Sequence, residues 1–125
     1  MKNTTFLTLH GIIYTGFALA LFTLPKFIWP LYGVQINDEY AYFLSQHTSI
    51  FLGGIGIISL FLRNIEHTQT LQQLFKAFIV TNIIGVIITL YAGFTGIFVG
   101  FGWSDPLFFS VLSLLSYWQF KKQTK

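Results

Sequence analysis

The side chains best able to do chemistry in this sequence form a polar run inside an apolar segment. Ser45-Gln46-His47-Thr48-Ser49 lies between the apolar stretches that follow Tyr40 and precede Arg63. Polar groups in lipid are costly unless they find a partner or water, so this run predicts contact with a helix, a ligand or a pore. Within it, His47 is the group that could bind a ligand, carry a proton or act as a general base.

Other polar residues could join His47 if neighbouring helices bring them close. We predict that a ligand or a pore is lined by Tyr14, His47, Thr48, Asn82 and Ser110. For each of them, a hydrogen bond that joins two helices is the simpler interpretation.

The sequence predicts no catalytic set and no metal site, and it identifies no cofactor. An enzyme is the least favoured class, because no second titratable group lies beside His47 in the sequence. His10 and His47 fall in opposite leaflets, ~14 Å apart along the membrane normal at 1.5 Å per residue, so they do not share a metal ion. Cysteine is absent, which excludes thiolate metal sites and disulfide chemistry.

The amino-acid composition indicates the environment of the elements that position these residues. Of the 125 residues, 54% are hydrophobic and only 9% are charged, against about 25% charged in a typical soluble chain. A domain of this length leaves much of its surface in water and cannot bury so many apolar side chains. A soluble enzyme, a disordered protein and a nucleic-acid-binding domain are therefore excluded, and the lipid bilayer is the expected partner.

Four apolar segments are long enough to cross a membrane as helices. We expect an all-α protein with a single membrane domain over residues 1–125, folded as an antiparallel four-helix bundle. The first loop is too apolar to be free in water and is expected to lie on the outer interface, at residues 25–39. The spans are expected at about residues 6–24, 40–62, 77–95 and 106–120.

Basic residues give the orientation. Six of the seven lie at the N-terminus, in the second loop or at the C-terminus, and Lys26 alone lies in the first loop. Because positive charge favours the cytoplasmic side, both termini are predicted to be cytoplasmic. We expect a multi-pass protein of the bacterial inner membrane.

Each span also carries a face of small residues, and such faces let membrane helices pack closely. In the second span this face includes Gly53 and Gly56, and in the third it includes Gly85, Gly96 and Gly100. Helix packing explains these faces well, and a lined cavity or pore is the alternative.

Three short motifs support a resemblance to known proteins. They are Pro30-Leu31-Tyr32-Gly33 after the first span, Leu52-Gly53-Gly54-Ile55-Gly56, and Asn82-Ile83-Ile84-Gly85. With these motifs the chain resembles small bacterial four-helix membrane proteins of unknown function, a group distantly similar to the DoxX-like family. The resemblance implies the fold of an antiparallel four-helix bundle and no catalytic residue.

Three functions remain open at this point. The first is a non-enzymatic membrane protein that binds a lipid or a hydrophobic small molecule within the bundle. The second is a homo-oligomeric channel or small transporter, lined by the face of Asn82 or by that of His47. The third is an accessory subunit that docks on a larger membrane partner through its glycine faces. Self-association or a membrane partner is expected, and no nucleic acid.

Overall fold

The structure is a computed structural model that describes residues 1–124, and it is helical with no strand among them. This confirms the expected all-α class. A short 3-10 helix at Gly100–Trp103 precedes the last of the five α-helices of these residues. These are α1 Asn3–Thr23, α2 Pro25–Leu31, α3 Glu39–Phe61, α4 Thr68–Phe94 and α5 Ser104–Gln123.

The helices α1, α3 and α4 are long and apolar enough to cross a membrane. The expected fourth span lies in α5, which is not among them, since serine, glutamine and lysine residues make it more polar. Burial fits a lipid surrounding, because His10, Ser59 and Asn82 are buried while large apolar side chains such as Phe61 and Phe94 are about 80% exposed (82% and 78%). Soluble monomers rarely expose apolar surface on this scale.

The described residues divide into two compact units. We call residues 2–64 the first hairpin and residues 65–124 the second hairpin. In the first hairpin, α1 and α3 are antiparallel, since His10 meets Ser59 near one end and Leu21 meets Ser45 near the other.

Glycines let α1 and α3 approach closely between these two polar contacts. A Cβ added to Gly56 would clash with Thr15 Oγ1 and would lie 2.9 Å from the carbonyl oxygen of Gly11. One turn away, a Cβ on Gly53 would touch Ala18 at 3.4 Å. The close approach brings backbone against backbone, the packing that small residues permit in membranes.

In the second hairpin, aromatic rings pack against glycines instead. A Cβ on Gly85 would lie 2.7 Å from the ring of Phe109, and one on Gly93 would lie 2.7 Å from Trp103. Gly96 and Gly100 follow the end of α4 at Phe94, with φ of 81° and 57°. These two glycines therefore lie in the connection between α4 and α5, with a positive φ that strains other residues, and they lie beyond the last residue of α4.

Helix α4 begins well before the span that the sequence predicts. The third span was expected from residue 77, but α4 begins at Thr68, with the His67 side chain accepting a hydrogen bond from the backbone N–H of Thr70. Hydropathy marks where lipid begins, whereas the helix continues through the polar residues before it until a cap stops it.

The loop at residues 25–39 also contains a helix, α2, that was not expected. Pro25 occupies its first turn, where the missing N–H costs nothing. Pro30 lies in its last turn, and the chain then reverses at Gly33, whose φ is 89°.

Candidate functional site

Two residues of the polar run of α3 form hydrogen bonds with the end of α1. Ser45 Oγ donates to the Leu21 carbonyl oxygen at 2.8 Å, and Gln46 Nε2 donates to that of Phe22 at 3.2 Å. These carbonyls belong to the last turn of α1, where a helix has no internal donors for them. Much of the run is thus explained by the capping of a neighbouring helix.

The same Ser45 also holds α2 in place. Trp29 Nε1 donates to Ser45 Oγ at 2.7 Å, so one chain of hydrogen bonds joins α2, α3 and the end of α1. Trp29 also packs edge-on against Tyr32, with ring centroids 6.0 Å apart. The connection is therefore a fixed structural element of the first hairpin.

A cleft of about 620 Å³ opens between α2 and the start of α3. Its volume is within the range of small-molecule sites, about 300–1,000 Å³. Lys26 contributes a positive charge from α2, and its Nζ lies 5.6 Å from the centre of the Tyr42 ring. The cleft is also lined by Asp38, Glu39, Phe43 and Gln46.

From this cleft an exposed row of rings runs along α3. The Phe43 and His47 ring centroids are 5.8 Å apart, and those of His47 and Phe51 are 5.6 Å apart. All three side chains are exposed. We call Phe43, His47 and Phe51 the aromatic track; it covers ~12 Å of helix at 1.5 Å per residue.

A second polar cluster is buried at the other end of the first hairpin. His10 Nδ1 lies 3.1 Å from Ser59 Oγ, and Ser59 Oγ donates to the Ile55 carbonyl oxygen at 3.0 Å. Since the single hydroxyl proton of Ser59 goes to Ile55, His10 Nδ1 is the donor in their contact. Tyr14 is buried beside His10, with ring centroids 4.8 Å apart.

Within the first hairpin, Tyr14 lies apart from His47 and Thr48. Thr48 is exposed, and His47 lies twelve residues from Ser59, ~18 Å along α3, far from the cluster that holds Tyr14. Asn82 and Ser110 belong to the second hairpin, and each bonds its own helix. Asn82 Nδ2 donates to the Phe78 carbonyl oxygen at 2.8 Å, and Ser110 Oγ donates to that of Pro106 at 2.7 Å.

Sequence reasoning missed the charged residues of the cleft. A signal was present, because the apolar connection is flanked by Lys26 at its start and by Asp38-Glu39 at its end. From the sequence alone, these charges indicate only the boundaries and the orientation of the spans. Their proximity depends on the turn of α2 back onto α3, which the sequence did not reveal.

Comparison of the chain with protein-family models, with curated proteins and with solved structures finds no match. The arrangement of the first hairpin is therefore the basis for assigning a function.

Proposed function

We propose that this chain is an integral membrane protein that binds a lipid or another hydrophobic small molecule without covalent chemistry. The observation that carries the proposal is the continuity of the polar cleft with the aromatic track, which share Phe43. A charged pocket that opens onto an apolar row has the two-part character of an amphiphile. A ligand of this kind places its head in the cleft and its tail along α3.

The proposal includes an antiparallel four-helix bundle in a bacterial inner membrane, with both termini cytoplasmic. Support comes from three helices able to cross a membrane and from α5, whose 20 residues make ~30 Å of helix, the thickness of the hydrocarbon core. The distribution of basic residues supports the orientation. The resemblance to the DoxX-like family supports only the four-helix bundle and not the ligand.

His47 has a specific part in this proposal. It lies on the exposed face of α3 between two aromatic rings. An imidazole that faces lipid needs a polar partner, since unsatisfied polar groups are costly there. The ester carbonyls of a lipid whose head group occupies the cleft lie on the hydrocarbon side of that head group, toward His47, and they accept hydrogen bonds.

The channel alternative has less support from the geometry. The face of α4 expected to line a pore is covered within its own hairpin, where Phe109 packs on Gly85. Asn82 is fully buried and donates to its own helix. No contact in the first hairpin favours the accessory-subunit alternative over ligand binding.

Native mass spectrometry of the whole protein, released gently from its membrane, tests the proposal. The wild type should keep a defined lipid or small molecule. His47→Leu and Phe51→Ala should each lower the retained fraction several-fold, because both remove contacts of the track.

Phe61→Ala is the matched control, since Phe61 is an exposed phenylalanine at the far end of the same helix, ten residues beyond the track. It should retain the ligand as the wild type does. Equal retention by all four proteins would contradict the proposal, and an oligomer that carries no ligand would favour the channel.

A further inference from the structure

The charges of the cleft give a more specific indication of what it binds. Lys26 comes from α2, whereas Asp38 and Glu39 come from the start of α3. Within residues 1–124, no ion pair joins Lys26 to either carboxylate. The cleft thus presents one positive and two negative groups to a ligand that carries both signs.

Hydrogen bonds fix both the helix that carries Lys26 and the side chain of Asp38. Lys26 belongs to the helix that Trp29 fastens to Ser45. Asp38 caps α3, with its Oδ1 accepting from the N–H of Ala41 at 2.8 Å. The cap uses Oδ1 and leaves Oδ2 outside this bond. The head of the cleft is therefore partly pre-organised, which lowers the cost of binding.

We propose that the cleft binds the phosphoethanolamine head group of a bilayer lipid, an inference that rests on the proposed lipid-binding function. Lys26 Nζ pairs with the phosphate, and the carboxylates of Asp38 and Glu39 accept hydrogen bonds from the primary ammonium group. The acyl chains follow the aromatic track away from the cleft. The three side chains and the head group then have complementary charges.

Other head groups fit this set less well. A head group with only a phosphate charge meets two carboxylates that repel it. A trimethylammonium group has no N–H to donate and is best held on the faces of several aromatic rings. In this cleft Lys26 already lies over the Tyr42 ring. A water-soluble amine would use the cleft but not the track.

The experiment uses the full-length protein in vesicles that contain phosphatidylethanolamine, its N-methyl and N,N-dimethyl forms, phosphatidylcholine and phosphatidylglycerol, in equal amounts and with identical acyl chains. Lipid retained after gentle extraction is measured by native mass spectrometry. We expect phosphatidylethanolamine to exceed phosphatidylcholine by about fivefold, equivalent to about 1 kcal/mol. Retention should fall stepwise with each added methyl group, a result that needs no variant.

Variants then assign the selectivity to residues. The double variant Asp38→Asn/Glu39→Gln should bring the ratio close to one, and asparagine preserves the N-cap so that α3 keeps its start. Lys26→Gln should lower the retention of all the phospholipids. Glu66→Gln is the control: it removes one negative charge at an exposed position outside the cleft and should leave the ratio unchanged.

Equal retention of all five lipids by the wild type would overturn the head-group inference and leave lipid binding intact. A preference for phosphatidylglycerol, or an ethanolamine preference that survives the double variant, would overturn it too. If the wild type retains no lipid at all, the proposed function itself fails. The outcomes for the two proposals are therefore distinguishable.

Discussion

The two hairpins solve the same packing problem with different chemistry. In the first, polar side chains join one helix to another: Ser45 reaches the end of α1, and His10 meets Ser59 of α3. In the second, the hydroxyls of Thr89 and Ser116 donate to carbonyls of their own helices. Aromatic rings on glycines then fill the contact between α4 and α5. The first hairpin thus has polar links between its helices at both ends. The second has a polar link from Gln72 Nε2 to the Gln123 carbonyl oxygen (2.9 Å) at one end and aromatic rings packed on glycines farther along.

This difference accounts for where the candidate site lies. Interhelical hydrogen bonds fix relative positions more sharply than apolar contacts do, and a binding site needs fixed positions. The cleft and the aromatic track both belong to the first hairpin, beside the bonds of Trp29 and Ser45. Substitutions that act differently on the two hairpins test this comparison.

The largest effect is expected at Gly56, where a methyl group meets backbone. Gly56→Ala places a Cβ against Thr15 and the Gly11 carbonyl, and the helices must separate, at about 2 kcal/mol of unfolding free energy. Gly54 provides the control, because a Cβ there meets nothing within 4 Å. Gly54→Ala should leave stability unchanged or raise it, since alanine is the better helix former. Reversible unfolding in bilayer discs measures both, and equal values would contradict the close approach of α1 to α3.

A smaller effect is expected at Gly85, where the obstacle is a side chain. The ring of Phe109 can rotate away from a new Cβ, so Gly85→Ala should cost about 1 kcal/mol of unfolding free energy. The pair Gly85→Ala/Phe109→Leu should recover part of that loss. A Gly85 variant less stable than the Gly56 variant would reverse the comparison between the hairpins.

The sequence predicted the positions of the long helices α1, α3, α4 and α5, because long apolar segments and small-residue faces are local properties. It favoured His47 over His10, since His47 lies in a polar run. His10 is instead the buried one, and its partner Ser59 is 49 residues away in sequence. Such a pairing depends on how α1 and α3 pack together, and the hydrophobic periodicity of the sequence does not show this. Helix α2 was missed because Pro25 and Pro30 indicate a loop when tertiary contacts are unknown.

The smallest effect on stability is expected where a single serine is removed. Two such variants distinguish a polar link between helices from one within a helix. Ser59→Ala removes the oxygen that joins His10 to the Ile55 carbonyl and should cost about 0.6 kcal/mol, a typical value for such bonds in membranes. Ser116→Ala removes a bond within α5 alone and should cost less. Both serines are fully buried, so they form a matched pair. If the Ser116 variant loses more stability, polar links do not distinguish the hairpins.

The central claim is that the first hairpin holds an amphiphile at the cleft and the aromatic track. Its most direct test is photo-crosslinking of the whole protein, in vesicles, with a phosphatidylethanolamine that carries a photoreactive group in its acyl chain. We expect adducts concentrated between residues 39 and 51 of α3 and suppressed by excess unlabelled lipid. The exposed isoleucines of α4, such as Ile84 and Ile88, report ordinary lipid contact. Adducts equally frequent on that face, and insensitive to competition, would contradict the account.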